Sequence, residues 1–158
     1  MSAAYAISEQ NYLTRRDATG FSQMADVVRD CLRWGDSDTS NYWGKIRNQI
    51  LKFADTSHAS VDYIQPTDET VQRALQFALL IPEWIPAPEV SVDQDGDFWF
   101  EWWFGKGCVI SVAAGATKEI HYSGLIFESK RYGSEPLSDE IPYPIMDLFE
   151  EALEYSET

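Results

Sequence analysis

The stretch Asp95-Gly96-Asp97-Phe98-Trp99-Phe100-Glu101-Trp102-Trp103-Phe104-Gly105-Lys106-Gly107 decides how this chain reads. Asp-Gly is a strong signal for a tight hairpin turn, because both residues tolerate the positive φ that such turns need. Phe98 to Phe104 are aromatic except for one carboxylate, and large aromatic side chains suit a pleated strand. Gly105-Lys106-Gly107 supplies a second turn. Side chains of a strand alternate between its faces. Phe98, Phe100, Trp102 and Phe104 therefore share one face, and Trp99, Glu101 and Trp103 share the other.

Outward from this strand the same period of two continues. Val90 and Val92 alternate with Ser91 and Asp93 on the N-terminal side. On the C-terminal side, Cys108–Ala113 and Glu119–Phe127 read as further strands, separated by a loose turn through Gly115. Four strands joined by short turns in chain order predict an antiparallel meander. The polar segment Ser129–Pro136, which holds Gly133, reads as a loop. Pro142 and Pro144 then introduce a last helix over about Pro144–Tyr155, with Ile145, Leu148, Phe149, Ala152 and Leu153 as its apolar stripe.

Before the strands, apolar residues recur at helical spacing. Residues 1–20 lack clean periodicity and read as an arm or a short irregular helix. Met24, Val27, Val28, Cys31 and Leu32 form one stripe behind a Ser22 N-cap. Trp43, Ile46, Ile50 and Phe53 form a second over about Asn41–Ala54, with Lys45, Arg47 and Lys52 expected on its outer side. A third helix starts near Thr67, where a cap and two acids meet the positive end of the helix dipole. It is apolar nearly all round and stops at Pro82. Residues 83–88 form a stiff, proline-rich connection. The expectation is a single α+β domain over residues 1–158: about three N-terminal helices, a four-stranded antiparallel β-meander and a C-terminal helix.

The chain of 158 residues carries a net charge of −14 and is 14% aromatic. Residues 89–158 hold 15 acidic and 4 basic residues, a net of −11. Such a field repels nucleic-acid phosphates and anionic membranes, so neither is expected as a partner. It permits a basic protein surface. The start of the sequence has no charged and apolar pattern of a signal peptide, and no apolar run approaches a spanning length. Cys31 and Cys108 form no CxxC pair. The expectation is a cytoplasmic protein with reduced thiols.

The candidate sites are few. Trp99, Glu101 and Trp103 read either as a second buried sheet face, with Glu101 paired to a donor such as His121 or Lys106, or as an exposed aromatic surface that docks a partner. Asp93, Asp95 and Asp97 suggest calcium, but an EF-hand loop needs a glutamate at its twelfth position and Phe104 stands there. The aspartates read as a hairpin turn. The histidines, His58 and His121, lack the spacing of a metal site. Gly105-Lys106-Gly107 joins two strands and offers no helix N-terminus to a phosphate. The acidic stripe Asp139, Glu140, Asp147, Glu150, Glu151 and Glu154 reads as a solvated face or as a surface for a basic partner.

Pro88-Glu89-Val90-Ser91-Val92-Asp93, Asp95-Gly96, Glu101-Trp102, Ile120-His121-Tyr122-Ser123-Gly124-Leu125 and Gly133-Ser134-Glu135-Pro136-Leu137 together resemble a group of small uncharacterised bacterial proteins. That group shares a P-E-[IV]-x-[VL]-D-x-D-G core ending in E-W, a later Y-x-G-L strand and a G-x-E-P loop. The resemblance covers roughly the C-terminal half. It implies the meander and carries no reaction.

The leading expectation is a non-enzymatic, acidic interaction module with neither cofactor nor metal, of the inhibitor, antitoxin or immunity type. It would bind a basic protein surface through Trp99, Glu101, Trp103, His121, Tyr122, Glu150, Glu151 and Glu154. One alternative is a small enzyme or ligand-binding domain with a pocket near Glu101, His121 and Tyr122. Another is a homodimer paired through Trp99 and Trp103.

Overall fold

A computed structural model describes residues 41–55 and 64–156. In chain order the elements are α1 (Tyr42–Ala54), α2 (Asp68–Leu80), β1 (Glu89–Val92), β2 (Phe98–Trp103), β3 (Cys108–Ala114), β4 (Glu119–Ile126), β5 (Ser129–Pro136) and α3 (Tyr143–Ser156). The fold is α+β. The strands form one antiparallel sheet in the order β1-β2-β3-β4-β5.

Local chemistry sets the helix ends. The Asn41 side chain accepts the Gly44 amide at 2.6 Å and starts α1. Thr67 Oγ1 accepts the Thr70 amide at 3.2 Å and starts α2, with Asp68 and Glu69 in its first turn. These caps satisfy amides that have no partner inside the helix. The two helices are tied together where the Trp43 indole donates to the Ile81 carbonyl at 3.0 Å.

The helices pack on one face of the sheet. Phe77 meets Phe100 edge-on with ring centres 5.0 Å apart, and Phe149 meets Trp102 at 4.7 Å. Phe77, Phe98, Phe100 and Phe149 are fully buried. Each burial of that size contributes about 1.5–3 kcal/mol. The helix-facing set expected on β2 is therefore core: Phe98, Phe100 and Trp102 are buried, and Phe104, just past the strand, packs partly against them. Gly124 lets α3 approach, since a Cβ there would lie 2.6 Å from a Leu148 methyl carbon.

Two expectations change. The sheet has five strands, not four, because Ser129–Pro136 pairs with β4 along its whole length. Its polar composition reads as a loop for a physical reason. An edge strand on the rim of the core buries little on either face, so the apolar alternation is missing. Arg47, expected on the outer side of α1, is only 5% exposed. Of the expected N-terminal helices, α1 and α2 are present, and the stripe Met24 to Leu32 lies outside the described residues, as do Cys31 and His58.

Candidate functional site

The register aligns the side chains of the sheet face opposite the helices into rows. One row runs Glu89, Glu101, Ser111, Ser123 and Tyr132. The next runs Ser91, Trp99, Ala113, His121 and Ser134. A third runs Trp103, Val109, Leu125 and Lys130. Among the described residues no helix covers these rows. Trp103 is 66% exposed and Tyr132 is 83% exposed.

The two tryptophans of this face differ in their polar partners. The Trp99 indole donates to Asp93 Oδ2 at 2.8 Å, and Asp93 Oδ1 accepts the amides of Asp95 and Asp97 at 2.9 and 3.0 Å. Asp93 thus organises the hairpin turn, and the aspartates around Gly96 serve as turn residues. Burial pushes the Asp93 carboxyl upward, but hydrogen bonds from Trp99, Asp97, Asp95 and Gly96 outweigh it and hold the group below the usual carboxylate range. Asp97 moves the other way, raised by burial and then by the charges of Asp93 and Asp95. Among the described residues no cluster of His, Cys, Asp and Glu is arranged to hold a metal ion.

The expected site residues fall into three places. Trp99, Glu101, Trp103 and His121 lie on the sheet face that no described helix covers. His121 Nδ1 lies 2.6 Å from Ser134 Oγ, its cross-strand neighbour. It is one row away from Glu101, and among the described residues Glu101 makes no hydrogen bond or ion pair with it or with Lys106. Tyr122 is on the helix side, where its ring covers Gly133. Glu101, His121 and Tyr122 therefore do not converge on one pocket. Glu150, Glu151 and Glu154 belong to α3, on the far side of the sheet from Trp103. Glu151 is engaged by Arg131 Nη2, while Arg131 Nη1 donates to Asp147 at 2.6 Å. Glu150 and Glu154 remain exposed.

Beside Trp103 the surface opens into a cleft of about 220 Å³, lined by Pro86, Ala87, Glu89, Glu101, Trp102, Trp103 and Phe104. Its walls are tied down, because the Trp102 indole donates to the Pro86 carbonyl at 2.7 Å and Gln49 Nε2 donates to the Pro88 carbonyl at 3.3 Å. Glu89 and Tyr132 are the residues that sequence reasoning did not single out. Counting outward from the Asp95-Gly96 turn finds Glu89, since that count places it opposite Glu101. Tyr132 could be found only by reading β5 as a strand. Comparison with known proteins identifies no relative: no family model, curated protein or solved structure matches this chain.

Proposed function

We propose that this protein is a non-enzymatic interaction module that binds a basic protein surface through the sheet face that no described helix covers, as an inhibitor, antitoxin or immunity-type factor does. One observation carries the reading. Trp103 and Tyr132 stand 66% and 83% exposed on a face that no described helix covers. Exposed tryptophan and tyrosine are the side chains most often found at the energetic centre of protein interfaces. The face belongs to the part of the chain with net charge −11, which favours a positively charged partner and speeds its encounter. The acids of α3 lie on the other side of the sheet and act through the long-range field rather than by contact.

The test places a photo-cross-linking amino acid at position 103, at position 132 and, as a control, at the exposed Glu69 of α2. Positions 103 and 132 are expected to capture the same basic protein from the native cell. The purified pair should reassociate, and raised salt should weaken it. Adducts no stronger than those at position 69, an acidic partner, or a second copy of this chain would each overturn the proposal.

A further inference from the structure

We infer that the cleft beside Trp103 receives an arginine side chain of the partner, held between the Trp103 indole and the Glu89–Glu101 pair. The inference rests on the proposed function and specifies its contact. The antiparallel register sets Glu89 directly opposite Glu101. Residues opposed in this way have Cβ atoms about 4.5–5.5 Å apart, and like charges there destabilise the sheet. Among the described residues neither carboxylate has a hydrogen bond or an ion pair. The fold thus holds two unneutralised acids side by side at the mouth of a cleft, an arrangement a bound cation relieves.

The rest of the cleft selects the kind of cation. Trp103 follows Glu101 by two residues, so its indole stands on the same face beside the carboxylates. Tryptophan is the best aromatic surface for a cation. Pro86, Ala87 and Phe104 add apolar walls against which an aliphatic stem can lie. A guanidinium is planar, stacks on an indole and forks to two carboxylate oxygens at once. An ammonium is a compact point charge without that fork and pairs less completely. A neutral apolar group would remove the carboxylates from water with nothing in return, and an anion would be repelled. Because the walls are hydrogen-bonded in place, little ordering accompanies binding.

The test uses the full chain and the blocked tripeptide acetyl-Gly-Arg-Gly-amide, with citrulline and lysine versions as controls. Binding is read from the indole N–H resonance of Trp103, identified by its loss in Trp103→Phe. The arginine peptide is expected to shift that resonance saturably. The citrulline peptide, equal in shape but neutral, should bind at least tenfold more weakly, and the lysine peptide several-fold more weakly. Glu101→Gln and Glu89→Gln should each weaken arginine binding at least fivefold while leaving the melting temperature unchanged or raised, because each removes the like-charge repulsion. A purely structural role for these acids would lower it. Absence of a saturable shift, equal binding of citrulline, or wild-type binding by both glutamine variants overturns the inference. Equal binding of lysine overturns the assignment to arginine. If cross-linking from position 132 captures a basic partner while the arginine peptide leaves Trp103 unmoved, the cleft assignment fails and the proposed function stands. If both fail, neither stands.

Discussion

Asp93 shows how much of this hairpin rests on one side chain. Its two carboxylate oxygens accept from the Asp95 and Asp97 amides and from the Trp99 indole. Aspartate at the head of a turn is favoured for this reason, since its side chain reaches the backbone two residues on. The folded state holds the group below its ordinary range, so its stabilisation is fully present above the unfolded value of about 3.9. It is lost as pH falls through the lower folded value. Replacing Asp93 by Ala is expected to cost about 1–2 kcal/mol at neutral pH. The gap between the two proteins should narrow in acid. Relief of Asp97, which Asp93 helps to raise, offsets a little of the loss near neutrality. Denaturant melts at neutral pH and below pH 4 measure the gap, and a gap constant with pH would contradict the role given to the ionised carboxylate. Alternation along β2 is enough to place Trp99 and Trp103 on one face. It does not tell that Trp99 finds an acceptor in the neighbouring turn while Trp103 stands in the open.

At the scale of elements, β5 is the strand that sequence reading missed. Its inward positions are Arg131, Gly133 and Glu135, none of which brings an apolar side chain to the core. Two of them are accommodated by something distant in the chain. Tyr122 covers Gly133, and α3 supplies Asp147 and Glu151 to Arg131. This arrangement also explains why two acids of the C-terminal stripe are not free for a partner. The Arg131 and Asp147 side chains are 36% and 41% exposed, so water screens the pair. A double-mutant cycle with Arg131→Met and Asp147→Asn is expected to give a coupling of no more than about 1 kcal/mol, shrinking as salt rises. A salt-independent coupling of two or more times that size would mean the pair is far better shielded than its exposure indicates. The opposite edge is guarded differently. Gln49 of α1 accepts the Val90 amide at 2.9 Å and donates to the Pro88 carbonyl, occupying β1 groups that another strand could use.

For the whole molecule, a net charge of −14 on 158 residues sets two effects of opposite sign. Self-repulsion weakens the compact state, whereas the same field would attract a basic partner of the kind proposed. Raising salt to about 0.3 M shortens the screening length to less than about 8 Å. The expected outcome is a higher melting temperature for the protein alone and slower, weaker association with the proposed basic partner, measured by thermal scans and by association kinetics. Association that is indifferent to salt would contradict a charge-steered complex. Composition and periodicity were enough to establish the acidity, the two helices before the sheet, the meander through β4 and the core face of β2, because each depends on spacing within one segment. Two features depended on the assembled sheet: the fifth strand, and the separation of Tyr122 and the α3 acids from the Trp103 face. They follow from which residues strand pairing and helix packing bring together across the chain, and a one-residue change of register reverses every such face. The strand Phe98–Trp103 lies on both sides of that division. Its alternation named the two faces, and only the placement of the described helices on the phenylalanine side left Trp103 exposed.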